Sequence, residues 1–297
     1  MGSLPVTERP DADAATSSLA RDLVALTKPG ITIANVLMTV AGMCVAPGSP
    51  TGLGALAAIV GTAAVVGAAN TFNMALERRS DATMARTRRR PVAAGRVGPG
   101  LAWGFGAALA ALGTLVLALG TSPATTLIGL AALVMYTFVY TPLKRVTPWA
   151  LLIGAVPGAA PPLMGALAVT PDGLAPGLAL FLLVALWQLP HFLAIAVRRR
   201  DDYARAGIRA WPVVHGDGSA RRLTRASAVL LAPAGLLPMA LGPVGVGATA
   251  LVCALGLALA WASWRREGWA RTTFVASLLY LPALALGLSI DRLAGLG

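Results

Sequence analysis

The chain has 297 residues, of which 57% are hydrophobic and only 12% are charged, and its formal net charge is +12 at pH 7. Soluble globular proteins carry about 25% charged residues, so this composition excludes an ordinary soluble domain and indicates a membrane protein. A transmembrane β-barrel would show alternating segments of about ten residues, and the sequence has none. The composition therefore predicts an all-α polytopic membrane protein.

The chain begins with a polar segment, residues 1–23, in which acidic residues are scattered among Ala, Ser and Thr. This segment lacks the basic start and short apolar run of a secretory signal. We expect a disordered cytoplasmic tail over residues 1–23, followed by a single transmembrane domain over residues 24–297.

Long apolar windows follow the tail and predict nine transmembrane helices, because about 20 mostly apolar residues cross the hydrocarbon core. The two cysteines, Cys44 and Cys253, fall inside these windows, where a thiol packs as a small apolar group. They indicate neither a disulfide framework nor a metal motif. The nine windows are residues 25–46, 53–76, 100–120, 124–142, 149–169, 176–197, 226–243, 245–263 and 271–290.

The positive charge lies on one side of the predicted membrane. Of the 24 Lys and Arg, 23 fall on the side of the N-terminal tail and of the loops after the second, fourth, sixth and eighth windows, and only Arg292 falls on the other side. The positive-inside rule then places the N-terminus in the cytoplasm and the C-terminus outside. This distribution accounts for the net charge without a nucleic-acid partner.

The second window ends in ANTFNMALERRSDATMARTRRRP, where Asn73, Glu77 and Asp81 are spaced i, i+4, i+8, with Asn70 one turn earlier. If the helix continues, these side chains share one face. Carboxylate and amide oxygens suit Mg²⁺ bound together with a diphosphate, and ionisable groups at membrane depth are usually functional. The alternative is a solvated helix end with the acids paired to nearby arginines.

An arginine run follows, in which Arg86 and Arg90 precede Pro91. Guanidinium groups suit bidentate phosphate contact, whereas other arginines of the run are expected to hold the loop to anionic headgroups.

The fourth window ends with Tyr136, Tyr140 and Lys144, again spaced i, i+4, i+8. Two phenols leading to an ammonium group would suit a leaving diphosphate. The alternative is an aromatic belt at the membrane interface with a lysine that only sets topology.

The fifth window contains Pro157, Pro161 and Pro162 among several glycines. Interior prolines remove hydrogen bonds and clash with the preceding turn, so we expect an interrupted helix that lines a cavity. The alternative is close helix packing through small residues.

The sixth window ends in WQLPHFLAIAVRRRDDYARAGIRAWPVVHG, which sets Asp201 and Asp202 beside arginines. Adjacent carboxylates point about 100° apart on a helix. One of the two is therefore expected to face the stripe on the second window, while the other pairs with Arg198 or Arg205.

These motifs resemble those of the UbiA-type intramembrane prenyltransferases, whose hallmark is NxxxDxxxD on the second helix and a second acidic motif after the sixth. Here the first motif is NxxxExxxD, so that Glu77 replaces the central Asp, and the second is DDY. Within the superfamily, the segments ERRSDATMARTRRRPVAAGR, YTPLKRVTPWA, IGAVPGAAPPLMGALAVT, WQLPHF and RRDDYARAGI resemble the heme farnesyltransferase branch.

The resemblance implies a UbiA-type bundle in the inner (plasma) membrane with its active site at the cytoplasmic face. It implies transfer of a farnesyl group from farnesyl diphosphate to a vinyl group of protoheme IX, with addition of water, giving heme O and diphosphate. A heme A synthase is then a candidate partner protein.

The same resemblance assigns roles to individual residues. It implies Mg²⁺ bound by Asn73, Glu77, Asp81 and an acid of the second motif, Asp201 or Asp202. Inside the sixth window, His191 either contacts the heme or is a hydrogen-bonded packing residue. The residues expected to act in catalysis are Asn73, Glu77, Asp81, Arg86, Lys144 and Asp202, and those expected to bind substrate are Asn70, Arg90, Tyr136, Tyr140, Arg198, Asp201 and His191.

Two other functions remain open from the sequence. One is a UbiA-type enzyme for a quinone precursor or chlorophyllide, against which only the branch-like segments argue. The other is a small-molecule transporter, which would place polar sites near the midplane between inverted repeats rather than at one face.

Overall fold

The computed structural model describes residues 18–296, and within that range the chain forms helices, turns and no strand. Most of the predicted tail, residues 1–17, lies outside the described residues. The helices are α1 (Leu19–Leu26), α2 (Pro29–Val45), α3 (Gly52–Leu76), α4 (Arg78–Thr83), α5 (Pro99–Gly120), α6 (Pro123–Val134), α7 (Thr141–Leu143), α8 (Ala150–Val169), α9 (Leu174–Arg198), α10 (Arg200–Arg205), α11 (Trp211–Ala234), α12 (Leu237–Leu241), α13 (Val246–Trp264) and α14 (Trp269–Leu293), with a π-helical turn at Met135–Tyr140 and a 3₁₀ turn at Pro171–Gly173.

Helix α1 corrects the predicted end of the disordered tail. The hydroxyl of Ser18 accepts the N–H of Arg21 and caps the helix. Asp22 is buried and forms a bidentate ion pair with Arg96, with the closest contact at 3.0 Å. The chain is therefore helical from Leu19, because a cap and an ion pair hold this first turn onto the bundle.

The predicted number of spans is not reached by the helices alone. Among the described residues, seven helices are long and apolar enough to cross a membrane, and α1 with α2 forms one further span bent by 48°. The window at 226–243 falls on the second half of α11 and on α12, which are separated by a break at 235–236. Helix α11 carries Arg221, Arg222 and Arg225 and is not among the long apolar helices of residues 18–296.

Helices α2, α8 and α9 form the centre of the bundle, and small residues allow their backbones to approach closely. A Cβ placed on Gly42 would lie 1.9 Å from the carbonyl oxygen of Pro162, and one placed on Gly165 would lie 1.9 Å from that of Thr39. Each position tolerates only glycine without movement of the neighbouring backbone.

The expectation of an interrupted fifth span is wrong, because α8 is one continuous helix with Pro157, Pro161 and Pro162 inside it. The alternative of close packing through small residues is confirmed by the contacts of Gly165 and of Pro162 with α2. The tight packing against two neighbouring helices supports the helix where prolines remove its own hydrogen bonds.

We predict that Gly165→Ala lowers the free energy of unfolding by about 1–3 kcal/mol, because the added methyl group overpacks the α2–α8 contact. Thermal unfolding in detergent micelles measures this change. The matched control is Gly104→Ala on α5, where the added methyl group meets nothing within 4 Å. Equal melting temperatures for the two variants would contradict the proposed role of the α2–α8 contact.

Candidate active site

The predicted oxygen stripe, Asn73, Glu77 and Asp81, faces one cavity although the helix is interrupted within it. Helix α3 ends at Leu76, and Glu77 leaves helical geometry with φ −95° and ψ 5° before α4 begins. The stripe keeps its alignment because Glu77 N–H still donates to the carbonyl of Asn73 at 3.0 Å, and Asp81 N–H to that of Glu77 at 2.8 Å. The spacing of the motif therefore survives the break.

Each member of the oxygen stripe is buried, and each is partnered by a cation. Asn73, Glu77 and Asp81 are 2%, 4% and 1% exposed. The ammonium of Lys144 forms an ion pair with Glu77, and the guanidinium of Arg90 forms one with Asp81 at 2.8 Å. The structure thus excludes the alternative of acids paired to arginines in solvent.

Lys28 completes this arrangement and was missed by the sequence analysis. Its Nζ donates to Asn73 Oδ1 at 2.7 Å, while Asn73 Nδ2 donates to the hydroxyl of Thr141 at 3.2 Å. Lys28 lies at the bend between α1 and α2 with φ 49°, in the left-handed region that non-glycine residues rarely adopt. Such strain is often found at functional sites. The sequence signal was weak, because this lysine looked like one more topogenic charge.

Tyr136 and Tyr140 also line the cavity, and a π-helical turn positions them. Their ring centroids are 5.3 Å apart, and the ammonium of Lys144 lies 5.8 Å from the Tyr140 centroid. π-Helical turns are rare and frequently occur at functional sites. The predicted phenol stripe leading to an ammonium group is therefore present in three dimensions.

Asn70, Arg86 and Arg198, which the sequence analysis expects to act on substrate, line the same cavity. Asn70 also has a packing contact, since its Nδ2 donates to the carbonyl of Thr27 at 3.1 Å and so holds the bend before α2. Residues that line the cavity but were not predicted include Gln188, Arg199, Tyr203 and Arg209.

The structure does not bring Asp201 or Asp202 to the oxygen stripe. Asp202 pairs with Arg199 and Arg205, and both acids line a small polar surface pocket next to the main cavity. The next residue, Tyr203, lines the main cavity instead. Its burial raises the pKa of the phenol above the usual value. A short helix, α10, sets this pattern, since successive side chains point about 100° apart.

His191 lies on the cavity wall formed by α9 and α14, apart from the cations that contact the oxygen stripe. Its ring stacks on Trp187 at 4.8 Å between centroids, and its Nδ1 lies 2.8 Å from the hydroxyl of Ser277.

The cavity has a volume of about 880 Å³ and two chemically different parts. The polar part contains the oxygen stripe, its cations and the two tyrosines. The apolar part extends between α2, α8, α9 and α14 and is lined by residues such as Met38, Pro157, Trp187, Phe274 and Leu281.

Among the described residues, no cluster of three or more His, Cys, Asp or Glu side chains could hold a metal ion. The stripe nevertheless suits a hard divalent cation, because it offers one amide and two carboxylates and because Asp81 Oδ1 is buried without a hydrogen-bond partner in residues 18–296. Mg²⁺ typically takes few protein ligands and shares the rest of its shell with water and substrate phosphates. The donor set therefore fits such an ion bound together with a diphosphate.

Comparison with known proteins gives consistent results. The model of the UbiA prenyltransferase family matches residues 35–288. A protein named protoheme IX farnesyltransferase from Myxococcus xanthus is 44% identical over 281 residues, covering 93% of this chain and 96% of the relative. One of the same name from an Anaeromyxobacter species is 46% identical over 274 residues, covering 91% and 93%. Among solved structures, a UbiA homolog from Archaeoglobus fulgidus bound to DMAPP and Mg²⁺ has a TM-score of 0.71 at 17% identity, covering 91% of this chain and 99% of that one.

We predict that Lys28→Met weakens binding of a diphosphate ligand by roughly 10- to 100-fold, because a charge-assisted hydrogen bond contributes about 1.5–3 kcal/mol. Titration with inorganic diphosphate and Mg²⁺, followed by calorimetry, measures the effect. Arg88→Met removes a cation from the neighbouring loop and is the control, since Arg88 is exposed and does not line the cavity. Equal losses in the two variants would show that only the general positive charge matters.

Proposed function

Because the chain belongs to the UbiA prenyltransferase family, we propose that it transfers a farnesyl group from farnesyl diphosphate to a vinyl group of protoheme IX. Water is added in the same reaction, and the products are heme O and diphosphate. The names of its relatives, which match over more than nine tenths of the chain, support this acceptor. The observation that carries the chemistry is the buried oxygen stripe with its cations at one end of a large apolar cavity.

The polar part of the cavity is the proposed diphosphate site. Lys28, Arg90 and Lys144 are already held there by contacts with the stripe, and Arg86 lines the same part. Preorganised cations stabilise charge that develops on the leaving oxygens without having to rearrange during the reaction. The phenols of Tyr136 and Tyr140 are the proposed hydrogen-bond donors to the same oxygens.

Asn73, Glu77 and Asp81 are the proposed protein ligands of Mg²⁺. When bound, the ion supplies charge neutralisation for the diphosphate as it leaves. Ion pairs with Lys144 and Arg90 hold both carboxylates in place on the wall of the cavity. The finding that a structural relative was solved with DMAPP and Mg²⁺ supports this assignment.

Metal contact by Asp201 or Asp202 remains a prediction from the sequence. Asp202 would have to leave Arg199 and Arg205 to reach the stripe. In the described arrangement it instead positions Arg199, which lines the cavity beside Arg198. Both arginines are proposed contacts for substrate anions.

The bond changes balance as follows. The allylic C–O bond of farnesyl diphosphate breaks and its electron pair leaves with diphosphate. The terminal vinyl carbon of protoheme forms a bond to the allylic carbon, and the positive charge moves to the carbon attached to the porphyrin. Water adds there and loses a proton, which gives the hydroxyethylfarnesyl side chain. An apolar cavity protects the allylic cation from water until the vinyl group has attacked it.

We further propose nine spans, with the N-terminus in the cytoplasm and the C-terminus outside. Residues 226–243 begin after Arg225 and cover about 27 Å at about 1.5 Å per residue, close to the hydrocarbon thickness of about 30 Å. The break between α11 and α12 therefore does not prevent this segment from crossing. With the positive-inside rule, this topology places the polar part of the cavity at the cytoplasmic face of the plasma membrane. A heme A synthase is the proposed partner, since it would consume the product.

We predict that Asp81→Asn lowers heme O formation by at least roughly 100-fold, as expected for removal of an electrostatic group at the reacting oxygens. Asp202→Asn should cost much less, because Asp202 lies outside the main cavity. Mass spectrometry of heme B and heme O after incubation with farnesyl diphosphate measures both. Full activity of Asp81→Asn would remove the Mg²⁺ assignment, and a larger loss in Asp202→Asn would show that the second motif binds the metal.

The same assay separates the alternatives for the acceptor. Prenylated hydroxybenzoate or naphthoate with unchanged heme would favour a quinone precursor, and prenylated chlorophyllide would favour that pigment. Transport of a small molecule without prenyl transfer would replace the enzyme assignment altogether.

We predict the topology from single cysteines introduced after Cys44 and Cys253 are replaced by Ser. With nine spans, a membrane-impermeant maleimide labels Leu296→Cys on intact cells, and it labels Glu267→Cys only after lysis. If residues 226–243 do not cross the membrane, the two labelling patterns are exchanged.

A further inference from the structure

His191 lies on the wall of the apolar part of the cavity, and its ring is held there by aromatic contacts. Its ring is stacked on Trp187, with 4.8 Å between centroids and 20° between planes, and it lies 5.5 Å from the ring of Phe274. Contacts with these two rings hold the plane of the imidazole. A hydrogen bond to a ring nitrogen then sets how the imidazole is turned within that plane. The chemistry proposed for the oxygen stripe gives this histidine no role.

The hydrogen bonds of Ser277 determine which nitrogen of His191 carries the proton. Ser277 donates its hydroxyl to the carbonyl of Phe274 at 2.6 Å, so its single proton is used. In the contact of 2.8 Å with His191 Nδ1 we therefore assign the ring N–H as donor and the serine oxygen as acceptor. This assignment places the proton on Nδ1 and leaves the lone pair on Nε2.

A buried hydrogen bond between α9 and α14 holds the backbone at Ser277 in place. Trp187 on α9 donates its indole N–H to the carbonyl of Ser277 on α14 at 3.1 Å. Trp187 and Ser277 are 8% and 0% exposed. Within residues 18–296, His191 has no other hydrogen-bond partner, so Nε2 remains a Lewis base on the wall of the cavity.

We propose that His191 Nε2 binds the iron of the porphyrin acceptor as an axial ligand. The inference rests on the proposed function for the presence of an iron porphyrin in this cavity. Histidines that ligate metals almost always donate their other ring N–H to a neighbouring group, which fixes the tautomer and strengthens the ligand. Ser277 does this here, and the stacking on Trp187 limits how far the ring can turn.

Arg198 gives the bound porphyrin an orientation. It follows His191 by seven residues on α9, about 10 Å along the helix axis, and its guanidinium lies 4.9 Å from the ring centroid of Phe274, which His191 also contacts. An iron porphyrin held by His191 thus has a cation on the polar side for its carboxylates.

The experiment compares iron protoporphyrin IX with metal-free protoporphyrin IX, using the full-length protein in nanodiscs. Quenching of tryptophan fluorescence gives the affinities, and the Soret band and electron paramagnetic resonance report an axial nitrogen. The wild type should prefer the iron form, and His191→Ala should lose both the nitrogen signature and at least about tenfold of this preference. Ser277→Ala should reduce the preference by less than His191→Ala does, because it removes the group that supports the ligand and not the ligand itself.

His215 provides the matched control, since it is the second of the two histidines in the chain, is exposed, and packs on Trp211 at 4.6 Å between centroids. His215→Ala should behave as the wild type. Exogenous imidazole should restore the axial signature to His191→Gly, which separates ligation from a packing role. A His191→Ala protein that keeps the axial signature and the preference for iron overturns the proposal.

Two further outcomes distinguish a folding defect from loss of the ligand, and failure of the proposed reaction from failure of the ligand assignment. If His191→Ala does not fold, Ser277→Ala and His191→Gln carry the same comparison, and unchanged spectra in both overturn the axial ligand. If the wild type binds iron porphyrin through His191 but forms no heme O with farnesyl diphosphate, the proposed reaction fails while the ligand assignment stands.

Discussion

The contact between buried oxygens and cations at one end of the bundle constrains the rest of the structure. Carboxylates in a low-dielectric interior are costly unless they are paired and hydrogen-bonded. Lys28, Arg90 and Lys144 reach Asn73, Asp81 and Glu77 from three different parts of the chain. The left-handed backbone at Lys28, the π-helical turn before Lys144 and the break at Glu77 are the local distortions that surround these contacts.

Two walls of the cavity differ in chemistry, one being charged and the other aromatic. The wall formed by α3, α4 and the turn after α6 carries charge, and it suits a leaving group that gains negative charge. The wall formed by α9 and α14 carries aromatic rings and one imidazole, and it suits a flat apolar ring. Close packing of α8 on α2 and α9 keeps the two walls at a fixed separation, because glycines there leave no room for adjustment.

Helical spacing predicted some parts of the site correctly and others not, and each outcome has a physical reason. Helical spacing found the oxygen stripe, because i, i+4, i+8 positions share a face even when the helix bends at Glu77. The same rule was not enough for Asp201 and Asp202, since a short connecting helix can turn either face inward and here turns Tyr203 inward. Prolines in α8 suggested a break, but packing on neighbouring helices supports a continuous helix.

The sequence by itself determined a polytopic helical membrane protein and its oxygen-rich motif, because hydropathy and helical periodicity are local properties. Only the tertiary structure decided which cation meets which oxygen, since Lys28 and Asn73 are 45 residues apart. It also decided the hydrogen-bond partner of His191, because Ser277 lies 86 residues away in the sequence. Such pairings depend on how helices pack, and no local pattern encodes them.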